Sequence, residues 1–207
     1  MIQSRLSVLM AERGLKIADL YEETGISKTT LMAITENNGK GVQYDTVDKL
    51  CNFLGVTPCE FFEYSPYLMN VDVVKNSSDT NIPTDFEITI KNQNYEKLFY
   101  LVNIIYSGDS YDIPVKKDEY KSFINVGLQE SDHYNNEEFY NFISNLTISF
   151  RTDFINKMIN TIVYLLLDFE GLKTVDGKEI NFKKGDYVAI ELFRESNFET
   201  LKKIKLK

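Results

Sequence analysis

Leu15–Asn38 reads LKIADLYEETGISKTTLMAITENN, two short amphipathic segments joined at Gly25. On the first, Ile17, Leu20 and Tyr21 recur at helical spacing; on the second, Ile26, Leu31 and Ile34 do the same. Each segment can therefore turn one apolar stripe inward. Gly25 can take the positive φ that ends a helix, and Ser27 is a fitting N-cap for the next one. The spacing predicts helix, three-residue turn, helix. The neighbouring residues extend this pattern in both directions. Ile2–Arg13 reads as a preceding helix with Leu6, Leu9 and Met10 as its stripe and Gly14 as its stop. Asn37–Gly41 is a loop by composition. A fourth helix is expected from near Asp45, turning Val47, Leu50, Cys51 and Leu54 inward and closing at Gly55. Thr57-Pro58-Cys59-Glu60 is a capping box with Pro at the first helical position, which starts a short fifth helix through Phe61 and Phe62.

A helix pair joined by a three-residue turn containing Gly has the layout of a helix-turn-helix, whose second helix enters the DNA major groove. At Leu15–Tyr64 the chain resembles the Cro/CI-type (XRE) helix-turn-helix family, mostly phage repressors and bacterial regulators. It is most similar to the subgroup whose recognition helix opens ISKTTL and whose later helix reads YDTVDKLCNFLGVTP, followed by EFFEY. Where the family commonly carries a phosphate-clamping Gln, this chain has Ile17. The resemblance covers about the first 66 residues.

The charge balance runs against a simple electrostatic attraction to nucleic acid. Net charge is −8; residues 1–66 hold six Lys/Arg against nine Asp/Glu, and residues 67–207 hold seventeen against twenty-two. Non-specific affinity comes from neutralised phosphates, so an acidic domain binds random DNA weakly. The placement of charge matters more. Lys16, Lys28 and Lys40 fall at helix starts and in the loop expected to face a duplex backbone, whereas Asp19, Glu22 and Glu23 fall on the solvent side of the first motif helix. Ser27, Lys28, Thr29, Thr30 and Ala33 form the exposed side of the second helix. Their hydroxyls, methyls and ammonium match base edges, thymine methyls and guanine or phosphate oxygens. Asn37, Asn38, Lys40, Gln43 and Tyr44 are candidates for phosphate or flanking-base contacts, as is Lys16.

Beyond Pro66 the grammar changes. Residues 67–83, polar around Asn76–Asp79, read as a linker. Phe86, Ile88 and Ile90 alternate with Glu87, Thr89 and Lys91, a half-buried strand, and Tyr95–Tyr106 is a longer strand, apolar on both faces and so expected at the centre of a sheet. Tyr111–Val126 reads as one or two more strands. A helical stripe runs from Phe139 through Phe142, Ile143, Leu146, Phe150, Phe154, Met158, Ile162 and Leu166 to Phe169, with a break expected near Arg151–Asp153. Lys178–Lys183 and Tyr187–Phe193 read as a hairpin, and Ser196–Lys207 as a basic tail, helical or strand-like. The fold class is α+β: a five-helix bundle over 1–66, a linker over 67–83, and a mixed sheet with a long helix over 84–207 that oligomerises or acts as an effector.

Catalytic motifs are scarce. His133 is the single histidine, and one His with two cysteines, Cys51 and Cys59, falls short of a zinc site. Gly108–Pro114 superficially resembles the nucleophile segment of LexA-like repressor peptidases and Lys184–Val188 another piece of that fold, but they lie too far apart and no Lys base is positioned. Pairs such as Asp85/Glu87 and Asp118/Glu119 arise by chance among 31 carboxylates. No enzyme activity, cofactor or metal is expected. No apolar run is long enough for a signal peptide or a membrane span, which implies a cytoplasmic chain. The expected partners are a double-stranded DNA operator and a second copy of the chain, with the 139–169 helix and the apolar strand surface as the pairing candidates. A rival reading makes residues 84–207 the effector, an anti-CRISPR or other inhibitor of a host protein target, with the helix-turn-helix shutting off its own gene.

Overall fold

A computed structural model describes residues 1–74, 85–110, 113–116 and 119–207. The chain divides into two compact units, residues 1–66 with 146–152, and residues 67–145 with 153–207. The architecture is α+β.

The first unit contains β1 (Ile2–Ser4), α1 (Leu6–Arg13), α2 (Ile17–Thr24), α3 (Lys28–Thr35), α4 (Tyr44–Leu54), α5 (Pro58–Phe61) and β2 (Phe62–Tyr64). The expected caps are present. Gly14, Gly25 and Gly55 adopt the left-handed region after α1, α2 and α4. Thr57 Oγ1 accepts the Glu60 N–H while Glu60 Oε2 accepts the Thr57 N–H at 2.7 Å, closing the box at α5. One boundary differs from expectation. The chain over Ile2–Ser4 is a strand, not the first turn of a helix, because it pairs antiparallel with Phe62–Tyr64 (Ile2 opposite Tyr64, Ser4 opposite Phe62). The helical stripes of all five helices meet in one core: Leu6, Leu9, Met10, Leu20, Ile26, Leu31, Val47, Leu50, Cys51, Leu54 and Phe61. Ile17 packs against it, so the position where the family commonly keeps a polar Gln supports the core here.

In the second unit β3 (Leu68–Val74), β4 (Asp85–Lys91), β5 (Glu96–Ser107) and β6 (Ser122–Leu128) form an antiparallel meander. Then follow α6 (Asn136–Ser144), α7 (Ile148–Asp168), the small ladder of β7 (Leu172–Lys173) with β8 (Glu179–Ile180), β9 (Tyr187–Leu192) and β10 (Thr200–Lys205). The six-stranded sheet has the order β10-β9-β6-β5-β4-β3, with β6 and β9 parallel. Parallel neighbours need a long crossover, and α6 with α7 provides it. The long apolar strand β5 lies inside the sheet, as its two-sided hydrophobicity requires. One sheet face buries Phe86, Ile88, Ile90, Phe99, Leu101, Ile124, Val126, Val188 and Ile190. The Phe139 ring of α6 lies 5.1 Å from that of Phe99 on this face.

Three further expectations are corrected. The 67–83 segment is not all linker: Leu68–Val74 is a full strand, laddered residue by residue onto Asp85–Lys91, and its two polar residues Asn70 and Asp72 occupy one face only. The remainder, residues 75–84, lies outside the described residues, as do Tyr111 and Asp112 of the Gly108–Pro114 segment and Asp118 of an acidic pair. The long helix breaks at Asn145–Thr147 rather than at Arg151–Asp153, where the Asn145 N–H closes α6 on Asn141 and Phe142. Lys178–Lys183 and Tyr187–Phe193 do not form a hairpin; β8 pairs back onto β7, and β9 lies between β6 and β10.

The turn that leaves β5 is tightly packed. A Cβ added to Gly108 would run into the Tyr120 carbonyl. Gly108→Ala should destabilise the second unit by about 1–3 kcal/mol, the usual cost of overfilling a packed site, read as a lower unfolding midpoint and faster amide exchange over β6. Unchanged values would contradict this packing.

Candidate nucleic-acid interface

The face of α3 is set by one buried residue. Leu31 is wholly buried, while Ser27, Lys28, Thr29 and Thr30 are exposed and Ala33 is half-buried. Ser27 caps the helix: its Oγ accepts the Thr30 N–H at 3.1 Å and lies 2.9 Å from Thr30 Oγ1. The hydroxyls of Ser27 and Thr30 are thus held together at the helix start, and that of Thr29 stands apart from the cap. The Lys28 ammonium rests 5.2 Å from the centre of the Tyr21 ring of α2, a cation–π contact across the turn. Leaving it costs little, because the tyrosine is itself 45% exposed.

Around α3 the structure gathers several of the expected residues. Thr30, Ala33, Asn37 and Lys40 line a shared recess of about 310 Å³ with Gly39, Gly41 and Val42, and β1 contributes Ile2, Gln3 and Ser4 to its wall. The contribution of β1 escapes the sequence pattern, which assigns those residues to a helix. Gln43 precedes α4 in extended conformation, and Tyr44 at the first position of that helix is 94% exposed. Lys16 precedes α2, and its backbone N–H donates to Asp19 Oδ2 at 2.7 Å. Asp19 is therefore turned onto the helix terminus rather than freely presented. Asn38 donates to Glu36 Oε2 at 2.7 Å.

Residues 5–67 match the family model of the Cro/C1-type HTH DNA-binding domain. The N-terminal unit is a Cro/C1-type helix-turn-helix domain. Comparison with curated proteins and with solved structures gave no match for the chain. Within this HTH domain α2 and α3 are the pair of helices joined by the turn at Gly25. No helix among the described residues is long and apolar enough to cross a membrane.

One of the residues expected to contact DNA also holds the HTH domain together. Asn37 sits at φ 53, a left-handed conformation that Asn tolerates better than most residues. Its Oδ1 accepts the Ser4 N–H at 2.7 Å and its Nδ2 donates to the Ser4 carbonyl at 3.1 Å. The Ser4 hydroxyl in turn donates to the Ile34 carbonyl at 2.7 Å. Both ends of the Asn37 amide thus staple the end of α3 to β1. Asn37→Ala should lower the stability of the HTH domain by about 1–3 kcal/mol, because the bonds to Ser4 go and the left-handed φ becomes strained. Thermal unfolding checks this, and a variant as stable as the parent would remove the staple.

Proposed function

We propose that the chain is a sequence-specific transcriptional regulator of the phage or mobile-element repressor type, reading an operator through α3. The observation that carries this reading is the one-sided burial of α3. Leu31 anchors it, Thr29 and Ala33 lie on the opposite side, and Ser27, Lys28 and Thr30 are exposed at the helix start, short side chains and one lysine that let a helix approach base edges closely. Lys16, Asn38, Lys40, Gln43 and Tyr44 flank that side as backbone-contacting residues. The acidic balance of the HTH domain limits its attraction to random DNA, so base readout and two half-sites carry more of the affinity. The chain acts as a homodimer on half-sites about one helical turn apart.

Footprinting on the bound operator tests the roles of the α3 side chains. Thr29→Ala and Thr30→Ala should relax the base preference within each half-site, at about 1–3 kcal/mol for each direct base contact removed. Site preference unchanged in both variants would refute the recognition-helix assignment. Lys28→Ala should weaken binding on all sequences and reduce the salt slope by about one, as expected when an ammonium contacts phosphate. An unaltered slope assigns Lys28 to its contact with Tyr21 alone.

A further inference from the structure

The six-stranded sheet of the second unit ends in two strands of opposite character. Its β10 edge reads TLKKIK, with Lys202, Lys203 and Lys205 in six residues, a charged edge of the kind that discourages strand addition. Its β3 edge reads LMNVDVV, with Asp72 as the one charged residue and no proline, and its ladder onto β4 runs unbroken from Leu68 opposite Lys91 to Val74 opposite Asp85. Among the described residues no further strand pairs with this edge, and so regular an edge with so little charge can take an added strand.

We propose that β3 pairs antiparallel with β3 of a second copy, about a two-fold axis through Val71. The need for a second copy rests on the proposed two-half-site operator; the surface that supplies it is read from the sheet. Met69, Val71 and Val73 share the face of Ile90, Ile88 and Phe86, whereas Leu68, Asn70, Asp72 and Val74 lie on the other. Directly opposed residues of an antiparallel pair point to the same face, so the axis must pass through a residue. Centred on Asp72, the pairing sets two carboxylates against each other. Centred on Asn70, it sets Asp72 against Leu68 and leaves Val73 and Val74 unpaired. Centred on Val71, it uses all seven residues: Val71 meets itself, Met69 meets Val73, Leu68 meets Val74, and each Asn70 amide meets an Asp72 carboxylate. That last contact also supplies a donor to a carboxylate that lies across the ladder from Glu87, an unfavourable like-charge neighbour.

A second feature favours an added strand. A recess of about 410 Å³ lies beside β3, lined by Val71, Asp72, Val73 and by Asn160, Thr161 and Tyr164 of α7. Val71 and Val73 are only half-buried and Tyr164 is 55% exposed, so the apolar side chains of an incoming β3 have surface to cover. In this register the two Leu68 residues stand about 20 Å apart at the usual strand rise. Each follows Pro66 by two residues, so each paired strand is joined directly in sequence to its own HTH domain. A seven-residue ladder is a small contact, so the free dimer has a Kd on the order of micromolar and tightens when both domains hold DNA.

The test uses the full chain without DNA, so its outcome is independent of whether an operator is found. In a Cys59→Ser background that removes the exposed thiol, Val71→Cys should form an intermolecular disulfide on mild oxidation, because residues opposed across the axis lie about 4.5–5.5 Å apart. Asn70→Cys, offset from its own copy, should bridge far more slowly. By sedimentation, Asn70→Asp should raise the dimer Kd about tenfold and Asn70→Lys lower it by a similar factor, through the two Asp72 contacts. Position 70 is exposed, so both variants keep the fold. A chain that stays monomeric at about 100 μM, well above the expected Kd, would overturn the proposal. So would a dimer in which Val71→Cys bridges no faster than Asn70→Cys, or one indifferent to the sign of residue 70.

Discussion

Leu31 has no exposed surface, and the orientation of α3 depends on that one buried side chain. Burying a leucine is worth about 1.5–3 kcal/mol, and here it joins Leu20, Ile26 and Leu50 in the core of the HTH domain. A helix of eight residues has only two turns, so one fully buried position fixes which side faces outward. The Gly25 turn and the Ser27 cap set where that helix begins. Asn37 and Ser4 fix where it ends. Position, start and end of α3 are thus each determined by a different kind of interaction: apolar burial, capping, and a side-chain staple to a distant strand.

The acidic character of the domain bears on how it binds. Asp19 is turned onto the Lys16 N–H, and Asp45 is paired with Lys49 at 2.9 Å, so two carboxylates near the helix starts are partly offset. The domain still carries more acid than base, which leaves weak non-specific attraction.

Much of the first unit is legible in the sequence because its determinants are local. Caps, glycine stops and the 3.6-residue spacing lie within a few residues of the helices they define. Ile2–Ser4 reads as helix in isolation because its ladder partner, Phe62–Tyr64, lies about sixty positions away, and no local signal announces such pairing. The same cause explains Leu68–Val74, which resembles a polar connection until its register with β4 sorts Asn70 and Asp72 onto one face. The stripe after Phe139 is apolar as its spacing indicates, yet it belongs to two helices, since Asn145–Thr147 breaks it without Gly or Pro. Phe139, Ile143, Phe154, Met158, Ile162 and Leu166 are all buried. That stripe is core, which removes it as the subunit-pairing surface. Of the site residues, the exposed set on α3 follows from periodicity. The role of Asn37 does not, since it depends on a backbone contact 33 residues away.

If α3 is a DNA-reading surface presented in two symmetric copies, the most direct measurement is selection of bound duplexes from a random pool by the full chain. The expected result is an enriched motif with two-fold symmetry and half-site centres about 10–10.5 base pairs, or a multiple of that, apart. A pool that yields no enriched sequence, or a single asymmetric half-site, would contradict it.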